Sequence, residues 1–282
     1  MNARQADRLM KYLLLVLLVA VIVVELAPLL WMLSTSLKPE GEIMSPTAQW
    51  IPAHITLENY AMMFKRFAIA RWFVNSIVAA AASTVIVLLI DAMAAYAFAR
   101  MRFFGRDVMF FLAVTMLLVP LQVTVVPLFL LFQKVNLLDS YPALILPTCG
   151  NVFGIFLLRQ FFITIPRELE EAAFMDGCGH FGIFFKIVLP LSKPALTTLA
   201  IFTFMSSWNS FLWPLVATNT DAARTLPVGI AMFISGLGGT TEATQYGIAM
   251  AGSLLSVLPS LVVFLALQRF FVRGIAMSGI KG

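Results

Sequence analysis

The sequence predicts an all-α membrane protein of six transmembrane helices, and three observations lead there. Apolar residues fill 61% of the 282 positions and charged residues only 12%, about half the charged share of a soluble domain. Mean hydropathy is +0.94, so polar surface is too scarce to cover a water-soluble core. Six separate stretches are also apolar over about 20 residues, the length a helix needs to cross the hydrocarbon core. Lipid therefore replaces water as the main solvent, and residues 1–282 read as one transmembrane domain without internal repeats or low-complexity segments.

The predicted spans are Tyr12–Ser34, Trp72–Ala99, Val108–Phe132, Tyr141–Phe161, Ala195–Ala217 and Tyr246–Phe271. The first has too long an apolar run for a secretory signal and no small-residue cleavage site after it, so it is expected to stay as an anchor. Between the first two spans lies Thr35–Arg71, with Pro39, Pro46 and Pro52. It ends in an amphipathic stretch, Leu57–Phe67, whose Met62, Met63, Phe64 and Phe67 suit a helix lying at the membrane interface. The long connection between the fourth and fifth spans runs over about residues 164–194.

Direction follows from Lys and Arg in the connections, because cytoplasmic loops are enriched in both. With the N-terminus inside, thirteen of the 19 basic residues fall on the cytoplasmic side, among them Arg4, Arg8, Arg100, Arg102, Arg106 and Arg167. Six fall outside: Lys38, Lys65, Arg66, Arg71, Lys134 and Arg224. Both termini are therefore expected in the cytoplasm.

The net charge of +5 does not indicate nucleic acid, because the basic residues are dispersed at the ends of apolar runs. The two cysteines, Cys149 and Cys178, fall in the membrane and in a cytoplasmic loop, which disfavours a disulfide. Cys178-Gly179-His180 alone is too little for a metal site, and none is expected.

The cytoplasmic loop carries the strongest functional signal. Pro166 suits the first position of a helix, and Glu168, Glu170 and Glu171 favour the positive end of its dipole. Ala172 and Ala173 leave one face small, Gly177 and Gly179 can end the helix, and a second short helix over about Phe181–Val188 is expected to stop before Pro190. A helix–turn–helix with an acidic rim and a small face suits a groove in another protein. An amphipathic connector resting on lipid is the plainer possibility.

Glu171-Ala172-Ala173, then Asp176-Gly177, then Ile187-Val188-Leu189-Pro190 resemble, at this spacing, the coupling loop of ABC importer permeases. Further segments are similar to the carbohydrate-uptake branch, of the shorter maltose and glycerol-3-phosphate type. They include Pro28-Leu29-Leu30-Trp31, Ser36-Leu37-Lys38, Phe73-Val74-Asn75-Ser76, Trp208-Asn209, Phe211-Leu212-Trp213-Pro214-Leu215 and Ser278-Gly279-Ile280-Lys281-Gly282. Ser210 stands where an acid or amide is common in that branch, and Cys178 where a small residue is usual. The resemblance implies a cytoplasmic coupling helix between helices 4 and 5. It also implies a second homologous permease, two ATPase subunits that bind ATP and magnesium, an external solute-binding protein, and a tail (Ser278, Gly279, Lys281) that contacts the ATPases. The chain itself is then no enzyme and holds no cofactor. Gly274 and Gly279 do not form a phosphate loop, since Ile280 separates Gly279 from Lys281.

Two acids, Glu25 and Asp91, fall inside predicted spans, where ionisable groups are costly and often functional. An ion-coupled secondary transporter could bind protons or sodium ions there; the structural alternative has each carboxylate hydrogen-bonded or paired between helices. Candidates for a sugar pathway are Trp208, Asn209 and Trp213, since aromatic faces stack on sugar rings and an amide pairs with hydroxyls in both directions. Gln122 between Pro120 and Pro127, and Asn151 between Gly150 and Gly154, join them because irregular backbone at membrane depth is tolerated where it lines a cavity. The expected function is the permease subunit of an ATP-driven importer, in a prokaryotic cell membrane, for a sugar, oligosaccharide or sugar-phosphate-like solute. Ion-coupled transport through Glu25 or Asp91 and a purely structural scaffold are the alternatives.

Overall fold

The computed structural model describes the backbone of residues 3–45, 49–234 and 246–276, and the side chains of 10–45, 49–232 and 246–266. No strand occurs among the described residues. In chain order the helices are α1 (Ala3–Ser36), α2 (Glu40–Ile43), α3 (Glu58–Arg66), α4 (Ile69–Arg100), α5 (Arg106–Thr115), α6 (Leu121–Lys134), α7 (Tyr141–Ile145) and α8 (Val152–Ile163). They continue with α9 (Arg167–Met175), α10 (His180–Ile183), α11 (Leu189–Leu191), α12 (Lys193–Trp208), α13 (Leu212–Ala217), α14 (Leu226–Ile234) and α15 (Tyr246–Ala276). Turns of 3₁₀ helix extend α5 and α7, and a π-turn over Phe184–Val188 joins α10 to α11.

Met10–Ser36, Ile69–Arg100 and Tyr246–Ala266 are each long and apolar enough to cross a bilayer. Three bent pairs bring the spans to six if each pair counts as one, so the third, fourth and fifth expected spans are not single rods. The third turns by 101° between Leu118 and Leu121. Pro120 there lacks an N–H and forces Val119 into an extended conformation, φ −84° and ψ 113°. The fourth bends by 44°, where Gly150 takes φ +77° and Asn151 caps α8 by accepting a hydrogen bond from the Phe153 N–H at 3.0 Å. The expected fifth span breaks after Trp208, and α13 resumes at Leu212.

Backbone contacts divide the chain into two compact units, residues 1–69 with 229–258 and residues 70–228 with 259–282. In the first, residues 11–26 of α1 are all exposed, Glu25 included, as expected of a surface that lipid or another subunit covers. Its C-terminal end is capped by α3: the buried Asn59 amide donates to the carbonyls of Ser36 at 2.9 Å and Lys38 at 2.7 Å. Helix α3 matches the amphipathic stretch, with Met63 buried and Phe64 exposed.

In the second unit, the buried side of α4 packs on α8, α10 and the start of α12 through Val87, Tyr96, Leu158, Phe162, Ile183 and Leu199. At the other end of α4, the wholly buried Asn75 fastens the 218–226 connection. Its amide donates to the carbonyls of Ala222 at 3.1 Å and Arg224 at 2.9 Å, and its oxygen accepts from the Tyr141 hydroxyl at 2.7 Å. Ser76 accepts from the Leu226 N–H at 2.8 Å, at the start of α14.

Candidate functional site

Helix α9 begins after Pro166 and ends in a closed turn. Gly177 has φ +81°, which a side chain would resist. This lets the Gly177 N–H reach the Phe174 carbonyl at 3.0 Å and the Cys178 N–H reach the Ala173 carbonyl at 2.9 Å. These two bonds are the Schellman closure of a helix end, and the ring of Phe174 meets His180 edge-on at 5.0 Å across the turn. The second helix does not stop before Pro190 as expected. The π-turn widens the helix, and it continues through Pro190 to Leu191. A wider turn accommodates both the proline ring and its missing N–H. Ser192, fully buried, then marks a 79° bend into α12 and donates its hydroxyl to the Val188 carbonyl at 2.7 Å.

The two alanines do not share a face. Ala173 is buried among residues of α4, α8 and α10, whereas Ala172 is exposed, so the expectation that both meet a partner is corrected. The outward side carries Glu168, Leu169, Glu171, Ala172, Met175 and Asp176, with Leu169 44% and Met175 88% exposed. Ile187 and Leu189 are half-buried against the chain's own core, while Pro190 is exposed.

Beneath α9 lies an arrangement that sequence reasoning missed. Arg100, at the last residue of α4, lies with Nε 2.9 Å from Glu170 Oε1, and the side chains are 5% and 9% exposed. The contact is an ion pair and not a hydrogen bond, because neither atom has an aligned hydrogen-bond partner. The guanidinium also donates to the carbonyl of Phe162 in the last turn of α8, at 2.6 Å, and to that of Ile165 just beyond it. One side chain thus ties together the ends of α4 and α8 and the middle of α9. The signal was present in the spacing: Glu170 and Ala173 lie three apart on one helical face, so burying Ala173 turns the acid inward toward a base.

The residues expected along a solute pathway are used mostly in packing. Trp208 is 1% exposed, edge-on to Phe73 at 5.5 Å and stacked on Phe204 at 6.4 Å. Trp213 is buried, donates its indole N–H to the Ala143 carbonyl at 2.7 Å and meets Phe132 edge-on. Asn209 is exposed and its amide donates to the Met205 carbonyl at 2.9 Å, while Gln122 is exposed and Asn151 half-buried. Asp91 is fully buried, and the Asn151 backbone N–H approaches its carboxylate without reaching ordinary hydrogen-bond geometry. A Cβ at Gly154 would collide with that carboxylate and with Leu199, so the glycine is what admits the acid. Glu25 faces outward on α1 and is not buried between helices. No cluster of metal-ligating residues occurs among the described residues. Ser278, Gly279 and Lys281 lie outside the described residues.

Residues 92–277, which contain this whole loop assembly, match the family described as binding-protein-dependent transport system inner membrane component. The chain belongs to that family. The permease is 37% identical over 258 residues to the arabinooligosaccharides transport system permease protein AraQ of Halalkalibacterium halodurans, covering 90% of this chain and 91% of that one. It is 36% identical to the diacetylchitobiose uptake system permease protein NgcG of Streptomyces coelicolor, over 88% of this chain and 81% of that one. It is 37% identical to the trehalose transport system permease protein SugB of Mycobacterium tuberculosis, over 91% of this chain and 93% of that one. Its fold matches a chain in the crystal structure of a bacterial ABC transporter that imports the acidic polysaccharide alginate, with a TM-score of 0.84, 25% identity, and coverage of 96% and 99%. The resemblance to carbohydrate-uptake permeases is therefore borne out. This is a multi-pass inner-membrane transport subunit and not a catalytic one.

Proposed function

We propose that this permease carries a sugar, oligosaccharide or sugar-phosphate-like solute inward by alternating access, driven by a separate ATPase that engages α9. The observation that carries the proposal is the division of α9 into two sides. Its outward side is exposed and suits a groove, while its inner side is fixed through Glu170 and Arg100 to the ends of α4 and α8. A load on the outer side cannot be absorbed by a loose loop. It reaches two spans through the Arg100 guanidinium and a third through the Ser192 bend into α12.

In this reading two ATPase subunits hold ATP and magnesium, a second homologous permease completes the pathway as a heterodimer, and an external binding protein delivers solute. Both termini face the cytoplasm, in accord with the charge asymmetry, and the Ser278–Gly279–Lys281 tail touches the ATPases. The sugar assignment is supported by the relatives whose names give arabinooligosaccharides, diacetylchitobiose and trehalose. Asn209, Gln122 and Asn151 remain the pathway candidates, whereas Trp208 and Trp213 act by shaping the walls. Family membership favours ATP over the ion-coupled alternative at Glu25 or Asp91. Uptake by the reconstituted complex should require internal ATP and survive collapse of proton and sodium gradients. Uptake that follows such a gradient without ATP would refute the proposal.

A further inference from the structure

The connection between α4 and α5, together with Arg167 at the start of α9, forms a basic cavity of about 600 Å³. Three guanidiniums line it, from Arg102, Arg106 and Arg167, against one carboxylate, Asp107. Arg106 answers that carboxylate, with Nε 2.9 Å from Oδ1 and Nη2 3.3 Å from Oδ2. The guanidiniums of Arg102 and Arg167 have no hydrogen bond or ion pair among the described residues, which leaves two positive charges on the cavity wall. Its edge is apolar: Phe103 is 40% and Val108 64% exposed, and neighbouring Phe104 is fully so. Both flanking helices are candidate membrane segments, one ending at Arg100 and the other starting at Arg106. The cavity thus sits at the boundary between hydrocarbon and water.

We propose that this cavity binds the headgroup of an anionic phospholipid. Arginine forks match phosphate oxygens in paired hydrogen bonds, and basic pockets beside transmembrane helices are the expected recognition sites for such headgroups. The exposed phenylalanines supply what a soluble anion cannot use, a surface for the glycerol backbone and upper acyl chain. A lipid so held would brace Arg167, the first residue of α9, against the end of α4. The assignment requires the membrane boundary at this connection, not the identity of the solute, so its failure would leave the importer reading standing.

The test titrates the full chain, purified with its partner subunits, with dioleoylphosphatidylglycerol, and uses native mass spectrometry to count retained lipid. Dioleoylphosphatidylcholine and glycerol 1-phosphate are the comparisons. The unaltered chain should prefer phosphatidylglycerol over phosphatidylcholine, and paired Arg102→Gln and Arg167→Gln should weaken the preferred binding by on the order of thirtyfold. Paired Arg→Lys changes should lose only severalfold, since charge persists without the planar fork. They serve as the second reading if the glutamine pair does not fold, and Phe104→Ser should also weaken lipid retention. Equal phosphatidylglycerol retention by the unaltered and glutamine chains would overturn the proposal. So would glycerol 1-phosphate binding as tightly as the lipid, which would assign the cavity to a soluble phosphate. Loss of the ATPase subunits with lipid binding unchanged would assign the arginines to a protein contact and overturn it as well.

Discussion

Replacing Glu170 by leucine removes the carboxylate that faces Arg100 under α9 while keeping a side chain of similar reach. Both partners are nearly inaccessible, at 5% and 9%, so water cannot readily replace the lost charge. Breaking a buried pair by removing one member costs about 3–5 kcal/mol. The lower end applies here, about 3 kcal/mol, because Arg100 keeps the carbonyls of Phe162 and Ile165 as acceptors. For a chain of this size that corresponds to a melting temperature in detergent lowered by about 6–12 °C. Arg100→Met should cost at least as much, since it leaves the buried Glu170 unpaired and removes the donor to the Phe162 and Ile165 carbonyls. The double variant should be less damaged than the two single effects added together, with a coupling of at least about 1 kcal/mol. Solute-stimulated ATP hydrolysis in the assembled complex should fall in each single variant even at temperatures where the chain remains folded. A cost below about 0.5 kcal/mol for Glu170→Leu, with full stimulation, would refute the claim that this pair fixes α9 to the spans.

Four further outcomes follow from the same geometry. Ala172→Trp should leave the melting temperature unchanged and abolish ATPase association in pull-down. Ala173→Trp, by contrast, overpacks the core and should lower stability by about 1–3 kcal/mol, so the two neighbours separate docking from folding. Gly177→Val should destabilise by roughly 1–3 kcal/mol, measured by thermal unfolding, because its φ of +81° is strained for a β-branched residue. Trp208→Ala should cost about 3–5 kcal/mol whether or not solute is present, whereas Asn209→Ala should alter solute-dependent transport with little change in stability. Burial opposes ionisation of Asp139 but is outweighed by the Thr220 hydroxyl, the Thr220 and Asn219 N–H groups and Arg224, which together hold its pKa below the ordinary 3.8. Its stabilising contribution is therefore present above pH 3.8 and lost as pH falls through the lower folded value. Asp139→Asn should flatten that acid limb in melting temperature against pH.

Much of this was legible in the sequence because lipid imposes a simple rule. A helix must be apolar over a fixed length, and Ile69–Arg100 follows the predicted Trp72–Ala99 closely. Gly177 and its left-handed turn were legible for the same kind of reason, since a local conformation needs a local residue type. The bends were not. Pro120 marks one plainly in hindsight, but whether a proline in an apolar run kinks a helix or breaks it depends on what satisfies the freed carbonyls. That is a tertiary matter, and Pro28 and Pro259 lie inside unbroken helices. The nine-residue α14 was missed because it is too short to register as a span. At the loop carrying α9 the sequence placed both alanines on one small face, and the structure separates them. Adjacent alanines sit about 100° apart around a helix axis, so one can turn inward while the other stays exposed, and the burial of Arg100 and Glu170 decides which. Trp208 and Trp213 misled for a related reason: a tryptophan suits a sugar ring and an aromatic neighbour equally well.

The central claim, that the outer side of α9 meets the ATPase, is tested most directly from Met175, which is 88% exposed at the last residue of that helix. In a chain whose Cys149 and Cys178 are replaced by serine, Met175→Cys carries a thiol-reactive cross-linker in the assembled complex. The account predicts a cross-link to an ATPase subunit whose yield changes when ATP is added, with uptake retained in the uncross-linked complex. Contradiction would be a fully active complex in which Met175→Cys forms no such link, or one in which a membrane-impermeant thiol reagent reaches it from the external face.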